Sequence, residues 1–179
     1  MGQLKPIDAA WELDRKAKQE GWPFRCDSLL EFQRAELNEM RDLYRSLAAG
    51  KAAPSRADFD ARTLKPYLRH IAIIERVFIA PRRWRYRTRL TGTAVTEITG
   101  DPTGQFLEEQ LPLELVPRWT SVYDTTLDGG QPIRLVAEFA LPQMTYLRGE
   151  GFFAPLADNE GKLNLVISCA YFQPKPSRL

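Results

Sequence analysis

Cysteine and histidine are scarce in this chain. Its 179 residues include two cysteines, Cys26 and Cys169, and one histidine, His70. A metal site needs three or four ligands, and neither cysteine belongs to a Cys-x-x-Cys unit, so no metal site is predicted. No motif places a serine or cysteine nucleophile beside a base. The sequence therefore predicts no catalytic residues, and it favours a structural role for His70.

Long hydrophobic runs are also missing. The best run, Ile71–Ile74, is interrupted by Glu75 and Arg76 and is far shorter than the roughly 20 apolar residues of a membrane span. The first residues include Asp8 and Glu12 and lack the apolar segment of a secretory signal. We therefore expect a cytoplasmic protein without membrane insertion, and no disulfide bond.

Neither sign of charge is in large excess. The chain has 25 lysines and arginines against 23 aspartates and glutamates, a net charge of +2. This balance creates no global field that would attract nucleic acid, which is not an expected partner. A chain of this length can bury about 70% of its unfolded surface, which is enough for one domain with an N-terminal extension.

Residues 28–50 have the pattern of an N-terminal amphipathic helix. Ser28 and Glu31 have the spacing of a capping box, and Gly50 stands where a helix would end. Its apolar residues recur at intervals of three and four, and they are Leu30, Leu37, Met40, Tyr44 and Leu47. We expect this stripe to be an interface, either with the sheet of the same chain alone or also with a second copy in a homodimer. Residues 1–27 form an N-terminal extension with a short helix.

The next segment, 71–90, predicts two strands. The second strand alternates between two faces. One face carries Trp84, Tyr86, Thr88 and Leu90, and the other carries Arg85, Arg87 and Arg89. This pattern is typical of a half-buried strand.

Short helices and further strands complete the order. Helical pieces are predicted at 93–98, 106–111 and 113–127, and strands at 133–141, 145–156 and 162–172. Two strands cannot enclose a core alone, so the last three must join the first two in one sheet. We therefore predict an α+β fold for residues 51–179, with a five-stranded antiparallel sheet, short helices on one face and the long helix before it.

Three motifs give this order a likeness to a known fold. They are Pro54-Ser-Arg-Ala-Asp-Phe-Asp60, Arg89-Leu-Thr-Gly-Thr93 and Gly100-Asp-Pro-Thr-Gly104. In this order they resemble the PAS fold over residues 54–173, and more narrowly a bacterial family of single-domain PAS-like proteins. Pro102 stands where that family more often has an aliphatic or polar residue. The resemblance implies a sensory or interaction domain without a shared catalytic constellation, and it implies fold more securely than function.

We expect a cavity between the sheet and the short helices. Its predicted lining is Tyr86, Leu90, Val95, Ile98, Phe106, Leu111, Trp119, Tyr123, Leu135, Phe139, Phe153 and Ile167. This mixture of aromatic and aliphatic side chains can hold a small apolar or planar molecule, or it can close into a packed core. No cofactor is required by the sequence, and a small-molecule ligand is compatible with it.

The arginines of the second strand are the strongest local charge feature. Arg85, Arg87 and Arg89 form either a patch for an anion or an acidic partner, or a face that is solvated or paired within the chain. The neighbouring aromatic residues point to the opposite face, which argues against stacking on nucleic-acid bases.

These observations predict a non-catalytic sensory or regulatory module. It would act through protein contact, as a homodimer, with a separate signalling protein or both, and it could hold a small ligand in the cavity. The alternative is a small enzyme or ligand carrier on a similar curved-sheet frame. That alternative needs convergent acid and base groups, and the chain offers only scattered carboxylates such as Asp101, Glu138 and Glu150.

Overall fold

Helices and strands build one mixed domain in residues 8–138 and 147–174, which the computed structural model of the protein describes. The helices there are α1 (Ala9–Glu20), α2 (Ala35–Ala48), α3 (Ala61–Leu64), α4 (Thr93–Thr99), α5 (Leu107–Gln110) and α6 (Val116–Gly129). The strands are β1 (Phe24–Asp27), β2 (Ile71–Ala80), β3 (Arg83–Thr91), β4 (Ile133–Glu138), β5 (Leu147–Ala157) and β6 (Leu163–Pro174). Single 3₁₀ turns at Arg56–Asp58 and Leu68–His70 precede β2. Within these ranges no helix has both the length and the apolar character needed to cross a membrane.

All the strands join one antiparallel sheet in the order β1-β4-β5-β6-β2-β3. The predicted α+β class and antiparallel sheet are confirmed, but the sheet has a strand more than the five expected. The extra strand is β1, which pairs with β4 so that Phe24 lies opposite Ala137. It spans four residues, which is too short to show a period of two in the sequence. Part of the predicted extension is therefore an edge of the sheet.

The sheet is covered on both faces. On the face toward α2, buried side chains include Ile71, Ile73, Phe152, Ala154 and Ile167. On the face toward α6, they include Ala72, Ile74, Ile133, Phe153 and Val166. We call these the α2 face and the α6 face. Helix α1 also packs on the α6 side, where Leu13 and Ala17 are buried.

Helix α2 begins seven residues later than the sequence predicts. The side chain of Asp27 accepts hydrogen bonds from the N–H groups of Leu29 (3.0 Å) and Leu30 (3.3 Å). Leu30 has a positive φ of 58°, which is not a helical conformation. Ser28 is occupied as well, because its hydroxyl donates to the carboxylate of Asp8. Local side-chain bonds thus hold residues 28–34 in a loop, and the predicted capping box does not form.

The apolar stripe of α2 packs against the chain's own sheet. Leu37 and Met40 are fully buried, and Leu30 in the preceding loop is buried too. The hydroxyl of Tyr44 donates to the carbonyl oxygen of Pro155 at 2.7 Å, and Leu47 packs at the margin. This packing agrees with the first interpretation of the stripe, in which it contacts the sheet of the same chain. Pairing with a second copy through these side chains would require α2 to leave the sheet.

The glycine of the Arg-Leu-Thr-Gly-Thr motif is required by a close backbone contact. Gly92 follows β3, and its N–H donates to the carbonyl oxygen of Ile71 at 2.7 Å. A Cβ atom at this position would lie 2.1 Å from the carbonyl oxygen of Leu68 and 2.5 Å from that of Arg69. No side chain fits there without moving the backbone.

The Pro54–Asp60 motif supplies caps. Asp58 accepts a hydrogen bond from the N–H of Ser55 at 2.7 Å, and the Ser55 hydroxyl accepts from the N–H of Asp58 at 3.3 Å. Asp60 then caps α3 by accepting from the N–H of Thr63 at 2.7 Å. Between the caps, Phe59 is 1% exposed and anchors the loop in the core. The motif therefore fixes the approach of the chain to β2.

We expect Asp14→Ala to destabilise the junction of α1 and β1. Asp14 is buried, and it accepts hydrogen bonds from Arg25 (2.9 Å) and from the N–H of Cys26 (3.0 Å). Removing the carboxylate leaves that buried N–H unpaired, at a cost of about 1–3 kcal/mol in urea unfolding. The control is Glu12→Ala on the same helix, whose exposed pair with Arg15 is worth less than about 1 kcal/mol.

The effect of Asp14→Ala also has a defined pH dependence. Burial alone would raise the pKa of Asp14, but hydrogen bonds from Arg25, the Cys26 amide and Lys18 outweigh it and lower the pKa to about 2. A lowered pKa stabilises the folded state above the ordinary value of 3.8 and ceases to do so as the pH falls through 2. The difference between wild type and variant should therefore shrink with acidification, and a constant difference would contradict this account.

A second stability prediction concerns Gly92→Ala. The new methyl group must displace the backbone at Leu68 and Arg69, so we expect a loss of about 2 kcal/mol or more in thermal or urea unfolding. Gly129→Ala is the matched control, since a Cβ there meets only the methyl group of Ala9, at 3.1 Å. Alanine has a higher helix propensity than glycine, by up to about 1 kcal/mol, and this gain should offset the cost of the close contact with Ala9. Equal effects of the two substitutions would refute the steric explanation.

Candidate ligand-binding cavity

A cavity of about 360 Å³ lies between the α6 face of the sheet and helices α4, α5 and α6. Its walls are largely apolar. The helices and the loops beside them contribute Val95, Leu107, Leu111, Leu115, Trp119 and Tyr123, and the sheet contributes Phe24, Ile74, Leu135, Phe153 and Phe172. Small-molecule sites have volumes of about 300–1,000 Å³ and walls of this composition.

Small residues form the floor of the cavity. They come from four neighbouring strands and are Ala72, Ala137, Gly149, Gly151, Ser168 and Ala170. Ala72 lies opposite Ser168, and Gly151 lies opposite Ala170, so the small residues form a band across the sheet. The small residues themselves contribute little side-chain volume, although the ring of Phe153 lies over Gly151, where a Cβ atom would be 2.8 Å from it. We conclude that the cavity exists because the floor is built from residues that cannot fill it.

The segment before residue 28 closes one side of the cavity. Pro23 and Phe24 line it, and Phe24 is 5% exposed. Sequence reasoning missed this wall because it placed the segment outside the domain. The available signal was the apolar run Trp22-Pro-Phe24 beside the β-strand residue Cys26.

The structure brings about half of the predicted lining residues together. Those on the cavity wall are Val95, Leu111, Trp119, Tyr123, Leu135 and Phe153. Tyr86 is buried behind the wall, against the ring of Tyr123 at a centroid distance of 5.1 Å. Ile98 and Phe106 are half-buried but are not among the lining residues, and the ring of Phe106 packs against Arg85 instead. Phe139 lies outside the described residues. That these side chains bind a ligand stays a prediction.

Leu90 is on the wrong side of the sheet for the cavity because of a β-bulge. Ile74 pairs with Thr88, whereas Ile73 pairs with Leu90, so Arg89 is an extra residue. The bulge reverses the alternation, and Leu90 packs on the α2 face while Thr88 remains on the α6 face. The simple alternation predicted from the sequence is therefore wrong beyond Thr88.

Ile167 also lies on the α2 face. It is fully buried there, while its neighbours Val166 and Ser168 face α6. Strand β6 is apolar on both sides because both faces of the sheet are covered, so its sequence does not show which residues face the cavity. The expectation for Ile167 was wrong by one position.

Two polar side chains on the cavity wall have atoms without hydrogen-bond partners. Within the described residues, the buried Nε of Arg118 and the buried Oγ1 of Thr91 are unpaired. Burial lowers the pKa of Arg118 from its usual value, since it disfavours the charged guanidinium. In contrast, Thr88 on the same wall is satisfied, because its hydroxyl accepts a hydrogen bond from Gln110 at 3.0 Å.

Two glutamates, Glu138 and Glu150, also belong to the cavity lining. Glu150 alternates with the glycines of the floor, and its carboxylate accepts hydrogen bonds on the α2 face from Arg134 (2.8 Å) and from the N–H of Gln33 (3.1 Å). Glu138 is exposed, and alternation along β4 directs it away from the α6 face, to which Ala137 belongs. The lining of the cavity therefore carries one positive group, Arg118, and two carboxylates, of which Glu150 is paired with Arg134.

The family of the chain follows from a comparison with known domain families. The model of the PAS domain family matches residues 32–170, most of the chain. The chain belongs to the PAS domain family. Its helix-covered antiparallel sheet with a cavity on one face agrees with this match, whereas membership of the narrower bacterial group is not tested by it. PAS domains are generally sensory and non-catalytic.

Solved structures with similarity to this PAS domain include two light receptors. One is an RNA-binding light-oxygen-voltage receptor, with 12% sequence identity and a TM-score of 0.45, and the match covers 83% of this chain and 38% of that chain. The other is the light state of the blue-light photoreceptor Aureochrome1 LOV, with 15% identity and a TM-score of 0.38, over 65% of this chain and 88% of that chain. No curated protein matches the sequence.

The arginine row of the PAS domain is paired within the chain. Arg87 and Arg89 both approach the carboxylate of Glu75, at 2.8 and 3.4 Å. Arg85 lies 3.8 Å from the ring centroid of Phe106 and 3.5 Å from Glu108. These contacts agree with the interpretation in which the arginines are paired within the chain. An acidic partner would have to compete with these contacts.

A second, polar cleft of about 300 Å³ lies on the α2 face of the PAS domain. Two of its charged groups already have partners in the chain, since Glu150 binds Arg134 and Arg34 lies over the ring of Tyr171. Its walls offer little apolar surface to a small molecule. The apolar cavity on the α6 face is therefore the better candidate site.

His70 has the packing of a structural residue. Its ring stacks on Tyr171 with centroids 3.8 Å apart, and its Nδ1–H donates to the carbonyl oxygen of Ala170 at 3.1 Å. Both cysteines are buried, and burial raises the pKa of each thiol, to about 12 for Cys169. In the part of the chain that the structure describes, no three histidine, cysteine or acidic residues are grouped to hold a metal ion.

We expect His70 to titrate below its ordinary pKa of 6.5. Burial lowers the pKa, the bond to Ala170 raises it, and the charges of Arg69 and Arg34 lower it further. Because this is the only histidine of the chain, proton NMR of the tag-free protein reports its titration as a single Cε1–H signal. A midpoint at or above 6.5 would contradict the packing described here.

The same shift predicts the direction of a stability change. The unfolded chain binds the proton more readily, so the contribution of His70 is fully present above pH 6.5 and is lost as the pH falls toward the folded-state pKa. His70→Phe keeps an aromatic ring against Tyr171 and removes the titration. Its free energy of unfolding should therefore depend less on pH in this range than that of the wild type.

Proposed function

We propose that this PAS domain is a non-catalytic sensory module that binds a small molecule in the cavity on its α6 face. The occupied state would be passed on by contact with a separate signalling protein or a second copy of the chain. The band of small residues carries this proposal, because it leaves about 360 Å³ open between apolar walls. A purely structural domain has no need for such a floor, since packed cores gain stability from filled space.

The helix that covers the cavity also contacts the N-terminal helix. Trp119 and Tyr123 of α6 line the cavity. On the outer side, Ser121 of the same helix accepts a hydrogen bond from Lys16 of α1 at 3.0 Å. A ligand that shifts α6 would therefore shift α1 as well. In this way, occupation of the cavity could change the surface that α1 presents to a partner.

We place this activity in the cytoplasm. Cys26 and Cys169 are both free, and they are buried on opposite faces of the sheet. Free structural thiols suit a reducing compartment. The two buried thiols make no contribution to the proposed binding.

The proposal can be tested by a substitution on α4 that places a large side chain in the cavity. Val95 is on its wall, so Val95→Trp should occupy the space and weaken binding of a small apolar ligand at least about tenfold. Glu97→Trp is the matched control, since Glu97 is exposed two residues later on the same helix. Native mass spectrometry of the freshly purified wild type, Val95→Trp and Glu97→Trp would compare any small molecule that each retains, and calorimetry with added Nile red would compare their affinities.

The proposal predicts binding by the wild type and by Glu97→Trp, and weak or no binding by Val95→Trp. Circular dichroism and melting temperature establish that each variant is folded. Equal binding by Val95→Trp and Glu97→Trp would show that the dye binds elsewhere. Absence of both a retained molecule and dye binding in the wild type would contradict the proposal.

A further inference from the structure

Arg118 places an uncompensated positive charge at an apolar cavity. Its Nε is buried without a hydrogen-bond partner, and no carboxylate of the described residues forms an ion pair with it. Residues around it on the wall, Leu115 and Trp119, are apolar. Arg118 as a whole is half-buried. Partial burial of a charge without a partner is still costly, so proteins normally pair it.

Other buried arginines of this chain follow that rule. Arg76 is 8% exposed, and although its Nε is unpaired as well, its guanidinium forms an ion pair with Asp128 at 2.8 Å. Arg134 binds both Asp27 (3.1 Å) and Glu150 (2.8 Å). Arg118 thus differs from them in lacking a partner from the chain, and it is the one of the three that lines the cavity.

A second group on the same wall is also unsatisfied. The hydroxyl oxygen of Thr91, at the end of β3, is buried and has no hydrogen-bond partner. Buried polar atoms are nearly always paired, by the chain, by water or by a ligand. Arg118 and Thr91 account for two of the four unpaired buried side-chain atoms in the described residues. Half of these unsatisfied atoms therefore lie on the cavity lining.

The position of Arg118 in its helix adds to the preference for an anion. It lies in the first turn of α6, at the positive end of the helix dipole. That turn contains no acidic residue, and its N-cap, Leu115, has no side-chain oxygen to bond the free N–H groups. Helix and side chain thus give this wall the same sign of charge.

We propose that the ligand is a small carboxylate with an apolar body, bound with its carboxylate on Arg118 and its body over the floor of small residues. This inference rests on the proposed function of the cavity. The guanidinium matches a carboxylate with two parallel hydrogen bonds, and Thr91 supplies a further polar contact within the wall. The apolar body meets side chains such as Leu135, Trp119 and Phe153.

The charge of the site favours a carboxylate over a phosphate monoester. One guanidinium neutralises a single negative charge, whereas a phosphate monoester carries about −1.5 to −2 at neutral pH. The surplus would remain in an apolar cavity, where an unpaired charge is costly. A neutral ligand would leave Arg118 as it is now, without a partner.

The experiment compares acids with alcohols of the same shape. Isothermal titration calorimetry at pH 7.5 would measure binding of naphthalene-2-carboxylate and 2-naphthalenemethanol, and of decanoate and decan-1-ol, to the full chain. The first pair is planar and the second is flexible, so both kinds of apolar body are covered. We expect at least one acid to bind about tenfold or more tightly than its alcohol, as is typical of hydrogen bonds to a charged group.

Substitutions assign that difference to Arg118. Arg118→Gln should weaken binding of the acid about 10- to 100-fold and change binding of the alcohol less than about threefold. Arg118→Lys keeps the charge but loses the two-pronged geometry, so its loss should be intermediate. Arg83→Gln is the matched control, because Arg83 is exposed at the start of β3 and its removal lowers the net charge equally. Alcohol binding by the Arg118 variants shows that their cavity is intact.

The outcomes separate this inference from the proposed function. A preference for the acid that disappears in Arg118→Gln and persists in Arg83→Gln supports the inference. Equal binding of acid and alcohol, or an equal loss of both in the Arg118 variants, would overturn it and leave the cavity as a binding site. Binding of none of the four probes would count against the cavity as a site, and with it against the carboxylate.

Discussion

The pairing of β2 with β6 holds the two halves of this domain together. Strands β2 and β3 lie in the N-terminal part of the chain, and β4 to β6 lie in the C-terminal part. They are joined where Ile71–Glu75 of β2 pairs with Leu165–Cys169 of β6. At this junction both faces of the sheet are buried, with Ile71, Val166 and Ile167 at 0% exposure. Burial of apolar surface on two sides is the main stabilising contribution there. Every other element covers one face or extends an edge.

The two faces are used differently. On the α2 face, large side chains such as Phe152, Leu37 and Met40 pack without exposure, and the helix is held to β5 by the hydroxyl of Tyr44. On the α6 face, the floor of small residues leaves a cavity under α4, α5 and α6. The closed face can supply stability while the other carries a hollow that costs packing energy. A PAS domain built this way can hold a ligand without depending on it to fold.

The sequence was sufficient for features whose cause is local. Alternation in β3 from Trp84 to Thr88 showed its buried side. The motifs at Pro54–Asp60 and Arg89–Thr93 predicted a PAS fold, and the structure explains them by caps and by the close contact at Gly92. Such features depend on neighbours within a few residues.

Features that depend on distant parts of the chain were missed. Strand β1 exists because β4 offers it an edge, and its four residues alone carry no pattern. The bulge at Arg89 arises in the pairing with β2, so Leu90 could not be assigned a face from β3 alone. Side-chain bonds from Asp27 delay α2, which propensity does not show. Nothing in the sequence marks Arg118, because its place on the cavity wall depends on how α6 packs over the sheet.

If the α6 face carries an open site with a positive group on its wall, a crystal structure of the protein grown with naphthalene-2-carboxylate will show the probe there. We predict the naphthalene ring over Gly149 and Ala170, beside the ring of Phe153, with the carboxylate about 3 Å from the guanidinium of Arg118. Side chains that fill the cavity, or a probe bound only outside it, would contradict the account.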